Sequence, residues 1–215
     1  MNQRHPVRQS SILLALFVGG CLAAGCAGWP PPPPPPQPVF LTDAKSVTLL
    51  PTEALAGRLE MRQLMEARYG GQTFSIEAYV KADTASITMV ALSVFFGTEI
   101  YSLTFRNAAI EYTAVSFAGA LKPEYLVADF QFCYFPAEAV AAMLQAAGLS
   151  FTETKTGDGW VREIRDGERR IIAITRKGNT IEYANLLRGY GYTITEAAPG
   201  TLPPASPESP PESSP

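Results

Sequence analysis

Histidine is all but missing from this chain of 215 residues: the only one is His5, at the N-terminal end. The body of the chain therefore has no side chain that titrates near neutrality of its own accord, and it lacks the commonest zinc ligand. Cysteine is nearly as scarce. Cys21 and Cys26 stand close together near the start, so Cys133 has no cysteine to pair with in the remainder. Within Phe130-Gln131-Phe132-Cys133-Tyr134-Phe135 it reads as a small buried apolar group. Neither a zinc cluster nor a disulfide framework is expected, and no cofactor is called for. Charge is thin and nearly balanced, with 17 Lys and Arg against 20 Asp and Glu. No basic patch stands out, which argues against a nucleic-acid partner. Ser93, Ser116 and the acidic residues form no triad or carboxylate pair that spacing brings together, so no enzyme is expected. Long apolar runs are absent too. The run from Ile12 to Val18 is too short to cross a bilayer as a helix.

What is present begins with that run. Arg4 and Arg8 precede it and small residues follow, the pattern of a secretory signal peptide. Leu22-Ala23-Ala24-Gly25-Cys26 resembles the lipobox of bacterial lipoproteins, in which the cysteine is acylated after the leader is cut. The resemblance implies a signal peptide over 1–25 and a lipidated Cys26. Cys21, after Val18-Gly19-Gly20, is the alternative. Ala27 rather than Asp follows Cys26, which implies the outer membrane, with the chain on its periplasmic face. Each buried methylene contributes about 0.8 kcal/mol, so several acyl chains make a lasting anchor. Pro30 to Pro36, with Gln37 and Pro38, then read as a spacer over 26–38. In polyproline II form its nine proline-rich residues would extend roughly 28 Å.

Residues 39–195 form the expected domain, large enough for one core. Residues 196–215, nearly all Pro, Ser, Glu, Ala and Gly, lack the apolar mass to order themselves and read as a disordered tail. Alternation dominates the domain. Phe74, Ile76, Ala78 and Val80 form one inward face; Tyr101, Leu103 and Phe105 form another. Ile172 and Ile174 alternate with Ile171 and Ala173, and Tyr190, Tyr192 and Ile194 with Gly191 and Thr193. Gly70-Gly71, Asp158-Gly159, Asp166-Gly167 and Gly178-Asn179 mark hairpins. Pro123 to Phe132 and Pro136 to Ala147 carry helical spacing at Leu126, Phe130, Val140, Met143 and Leu144, with Gly148 placed to end the second helix. The expectation is an α+β domain: about five strands, two helices, about five strands, in a curved antiparallel sheet with helices over one face.

Several stretches carry a family resemblance: Leu49-Leu50-Pro51, Arg68-Tyr69-Gly70-Gly71-Gln72-Thr73-Phe74, Ala91-Leu92-Ser93-Val94-Phe95-Phe96-Gly97, Leu126-Val127-Ala128-Asp129-Phe130-Gln131 and Tyr190-Gly191-Tyr192. With the element order, they resemble an uncharacterised family of outer-membrane lipoproteins of LolA/LolB-like fold, often found with aryl-polyene and fatty-acid-synthase-like gene clusters. The resemblance covers about residues 48 to 195. It implies an incomplete β-barrel lidded by helices, whose apolar hollow receives acylated or other hydrophobic cargo, handed over by a periplasmic carrier protein. The inward residues Phe74, Ile76, Val80, Tyr101, Leu103, Phe105, Phe130, Leu144 and Tyr192 would line that hollow. Phe95 and Phe96 would form a loop that touches membrane or cargo; the plain alternative continues the strand and buries both rings. Trp160 is a core residue or an interfacial anchor. Arg162, Arg165, Arg169, Arg170, Arg176 and Lys177, interspersed with Glu163, Asp166 and Glu168, read as solvated mixed-charge strands. A structural lipoprotein holding a protein partner, with no ligand hollow, is the competing reading.

Overall fold

Residues 37–115 and 121–197 are described by the computed structural model. The leader, Cys21, Cys26, most of the spacer, Ser116 and the chain after residue 197 lie outside them. A two-stranded ribbon comes first, β1 (Val39–Phe40) with β2 (Ser46–Val47), followed by a single 3₁₀ turn at Thr52–Ala54. Five strands follow: β3 (Leu59–Tyr69), β4 (Gln72–Ala82), β5 (Ile87–Ser93), β6 (Glu99–Arg106) and β7 (Ala109–Ala114). Two helices, α1 (Pro123–Tyr134) and α2 (Ala137–Ala146), precede β8 (Ser150–Thr156), β9 (Gly159–Asp166), β10 (Arg169–Lys177), β11 (Thr180–Asn185) and β12 (Tyr190–Ala197).

All ten long strands join one curved, unclosed antiparallel sheet in the order β7-β6-β5-β4-β3-β12-β11-β10-β9-β8. The two meanders meet at β3 and β12, where Tyr69 faces Tyr190 and Met65 faces Ile194. Strand β7 therefore ends at one margin of the sheet and β8 begins at the other. Antiparallel register sets both points at the same end of the strands, so the connection has to run down the sheet and return. Two helices of similar length do that. The expected element order and fold class hold, and each of the four glycine-marked hairpins falls at a turn.

Two turns carry no glycine, Asp83 to Ser86 and Asn107-Ala108. Asn107 and Ala108 both have positive φ (51° and 59°) between the paired Arg106 and Ala109, the geometry of a type I′ hairpin. The helix ends follow local chemistry. Pro123 opens α1, where a missing N–H costs nothing. After α2, Gly148 takes φ +71°; its N–H reaches the Gln145 carbonyl and that of Leu149 reaches Leu144, a Schellman closure.

Two expectations are corrected. Ile171 does not face outward opposite Ile172: both are buried, because a register shift between Arg170 and Ile172 breaks the alternation of β10. Strand β12 also runs past the composition boundary to Ala197, because Glu196 is held by Tyr134 and Arg176.

The core lies between the sheet and the helices. Val80, Ile87, Leu103, Phe105, Ile164, Ile174 and Ile181 face Val127, Phe132, Val140 and Leu144. The N-terminal segment forms a third layer, with Val39, Leu41, Val47 and Leu55 buried in the same cluster. Enclosed from both sides, α1 buries every residue from Val127 to Cys133. A helix so enclosed has no polar face to give it an amphipathic pattern.

Candidate functional site

The inner face of the sheet is not uniformly apolar. At β3, β12, β11, β10, β9 and β8 the register turns Gln63, Glu196, Asn185, Arg176, Arg162 and Glu153 to the same side as the core isoleucines. Burying such groups is tolerable only with partners, and α1 or its neighbours supply most of them. Gln63 donates to the Tyr134 hydroxyl at 2.8 Å, Tyr134 donates to Glu196 at 2.7 Å, and Arg176 closes the chain on Glu196 at 2.5 Å. Arg162 donates to the Phe132 and Phe135 carbonyls at 2.6 and 3.0 Å, meeting acceptors that the end of α1 leaves open. It also pairs with Glu153 at 2.7 Å and stacks 4.2 Å from the Trp160 ring. On the other flank, Gln131 bonds both the N–H and the carbonyl of Leu50, at 2.9 and 2.8 Å, and so straps the N-terminal segment to the helix.

The most concentrated polar contact is at Asp129. Its carboxylate, 7 % exposed, accepts from Tyr183 at 2.5 Å and from Tyr190 at 2.9 Å, with Tyr192 close beside it. Tyr183 and Tyr192 lie stacked with ring centres 4.5 Å apart. Burial raises the Asp129 carboxyl from its usual range to about 7, against the opposing pull of the three hydroxyls and of Arg188. Burial likewise raises Tyr183, Tyr190 and Tyr192, with the neighbouring Asp129 charge adding to it. The Cys133 thiol is buried and raised in the same way, so it is not a reactive thiolate.

A different chemistry occupies one end of the sheet. The turns β3–β4, β5–β6, β9–β10 and β11–β12, the exit of β7 and the entry of β8 all lie there. Among the described residues, nine of the eleven exposed large hydrophobic side chains belong to that end: Phe40, Tyr69, Phe74, Val94, Phe95, Phe96, Val115, Leu121 and Leu186. Phe95 and Phe96 are 80 % and 81 % exposed. Their turn is closed locally by the Gly97 N–H on the Ser93 carbonyl at 2.8 Å and the Ser93 N–H on the Thr98 carbonyl at 2.9 Å, which leaves both rings outside. The opposite end carries Asp83, Thr84, Ala85 and Ser86 in one turn and Asn107, Asp158 and Asn179 in others. Phe40, where the described chain enters, is also at the apolar end: Tyr125 and Arg188 both donate to its carbonyl, at 3.1 and 2.5 Å.

Of the nine candidate lining residues, Val80, Tyr101, Leu103, Phe105, Phe130 and Leu144 are buried together in one core cluster, with Ile76 and Tyr192 packed against it. Phe74 stands apart, exposed near the β3–β4 turn. The plain reading of Phe95 and Phe96 as core residues is overturned: β5 stops at Ser93. The solvated basic cluster also needs correcting. Arg165 and Arg170 pair with Glu163 near the surface, but the register turns Arg162 and Arg176 inward. Trp160 packs half-buried under Arg162.

Two open clefts, of about 360 and 350 Å³, indent the described surface. The first, at the apolar end, is lined by Arg68, Tyr69, Leu186, Asn185 and Tyr190 among others; the second runs between Leu49, Leu50 and Met143. Neither is lined by the candidate inward residues. Asp129, Gln131 and Tyr183 were not singled out as site residues, although a signal existed: an Asp and a Gln inside Leu126-Val127-Ala128-Asp129-Phe130-Gln131-Phe132 are polar residues in an otherwise apolar helix.

Residues 60–198 match the family described as Protein of unknown function (DUF3261). The match takes in both helices, the Phe95 loop and nearly all of the ten-stranded sheet. No curated protein matches the chain.

Proposed function

We propose that this chain, which belongs to the family of proteins of unknown function DUF3261, is a lipid-anchored, LolB-like binding protein of the outer membrane that receives acylated or other hydrophobic cargo at the apolar end of its sheet. Cys26, with Cys21 as alternative, carries the anchor on this reading, and the domain faces the periplasm. No step of chemistry is needed.

The observation that carries the reading is the exposure of Phe95 and Phe96 beside Tyr69, Phe74 and Leu186. Exposed large apolar side chains gathered at one end of a sheet point to a binding face in a folded domain. Arg68, Lys122 and Arg188 stand around it, suited to headgroup phosphates. The described chain enters at the same end, where Tyr125 and Arg188 hold the Phe40 carbonyl. A cargo chain of about fifteen methylenes would gain roughly 12 kcal/mol from complete burial, comparable with what it leaves in a bilayer. Exchange without an energy source is then feasible.

Native mass spectrometry with lipid extraction, on protein lacking residues 1–26, tests this. Bound acyl species that disappear in the double variant Phe95→Ser, Phe96→Ser support the reading. A clean apo mass with no uptake of offered fatty acid or lipopeptide rejects it. The second reading, a lipoprotein that grips a protein partner, draws support from the close packing of Leu103, Phe105 and Leu144 under the helices. It expects a stoichiometric complex free of lipid.

A further inference from the structure

Asp129 is a buried carboxyl at the seam between a helix and a sheet, and no ammonium or guanidinium group is hydrogen-bonded to it among the described residues. Its two oxygens face Tyr183 on β11 and Tyr190 and Tyr192 on β12. Arg188, in the turn joining those strands, acts only through space; its Nη2 is committed to the Phe40 carbonyl and the Tyr125 hydroxyl, at 2.5 and 3.2 Å. Cys133, one turn along α1, and Tyr134 beside it are further titratable neighbours of the cluster. Tyr183, Tyr190 and Asn185 also contribute to the lining of the first cleft. A neutral carboxyl fits such a place well, whereas a carboxylate must hold a full charge there with no directly bonded cation.

We propose that Asp129 with Tyr183, Tyr190 and Tyr192 is a proton-operated latch that locks α1 to the sheet when the carboxyl is protonated and loosens that seat, at the apolar end, when it ionises. The three tyrosines and Cys133 are all raised above their ordinary values and keep their protons through the neutral range. Asp129 is the one member of the cluster that changes charge there. In the unfolded or undocked state the carboxyl loses its proton near pH 4; docked, it holds the proton to about 7. The latch is therefore strongest in acid, weakens between those two values, and gives no further change above the upper one. Acidification tightens the helix against the sheet, and neutral to alkaline conditions loosen that contact. The device does not depend on what the apolar end binds.

Native-state hydrogen exchange on the full-length chain, corrected for intrinsic rates, reads the latch directly. Protection of the α1 amides from Leu126 to Tyr134, taken relative to those of β4, should fall by up to about tenfold per pH unit on approach to pH 7 and then level off. In Asp129→Asn the relative protection should be flat with pH. Tyr190→Phe removes one hydroxyl that favours the charged form, so its midpoint should move to higher pH, which provides a readout if the asparagine variant folds poorly. A flat profile in the unmodified chain, or the same slope in Asp129→Asn, overturns the proposal, as does a midpoint in Tyr190→Phe that stays in place or moves to lower pH.

Discussion

Gln131 does for Leu50 what a neighbouring strand would do. Its amide bonds both the N–H and the carbonyl of one residue, so a segment without a ladder partner has its backbone satisfied in the core. Replacing it by Met keeps most of the volume and removes both bonds. Gln131→Met should cost about 2 kcal/mol, seen as a lower urea midpoint with an unchanged slope. Arg162 is a sterner case, because one planar group meets two carbonyls, a carboxylate and an indole ring. Arg162→Met should cost about 3 kcal/mol or more, since Glu153 and the end of α1 lose their donors together. Arg162→Lys should recover little of that loss in the same unfolding assay, because an ammonium cannot span the geometry of the fork. Both residues were visible as letters in the sequence. Their burial was not, because polar residues in apolar surroundings look the same in a sequence whether they face a helix or water.

Turns and helix ends follow local rules, and there the elements were largely legible. Gly148 and Pro123 stand where helix chemistry wants them. Gly191 has a reason that only pairing reveals: a Cβ there would come within 2.6 Å of the Tyr183 carbonyl oxygen. Glycine lets β12 lie close enough to β11 for Tyr190 and Tyr192 to reach Asp129. The Asn107-Ala108 hairpin is one of the turns that glycine signals left unmarked. Its alanine takes a left-handed conformation that L residues with a Cβ resist, and the turn was missed for that reason. Ala108→Gly should stabilise the protein by about 0.5–1 kcal/mol, after the entropy of the new glycine is set against the relieved strain, and a thermal melt measures it. Ile171 was misplaced for a related reason, since a bulge in β10 obeys no period that a sequence window can follow.

Across the whole molecule, apolar groups are distributed in two ways. Leu103, Phe105 and Leu144 are fully buried and hold the layers together, whereas Phe95 and Phe96 contribute nothing to the core. The double variant Phe95→Ser, Phe96→Ser should therefore move stability by less than about 0.5 kcal/mol. Flotation with phospholipid vesicles should nevertheless drop several-fold; equal flotation of both forms would count against the apolar end as a membrane or cargo face. Strand order is the property no local pattern contained. Two meanders of five strands could lie as separate sheets or as one. The pairing of β3 with β12 joins them, sends the helices across the inner face, and collects four turns and the chain entry at one end. The sequence by itself determined the periodicities, four hairpins, the helical pair and the scarcity of histidine and cysteine, because each of these is set by residues a few positions apart. Only the tertiary structure decided that Asp129 meets three tyrosines from the far side of the chain, that Arg162 is buried, and that the exposed aromatics share one end. Those facts depend on register between segments that no local window spans, and on which side of a curved sheet each residue faces.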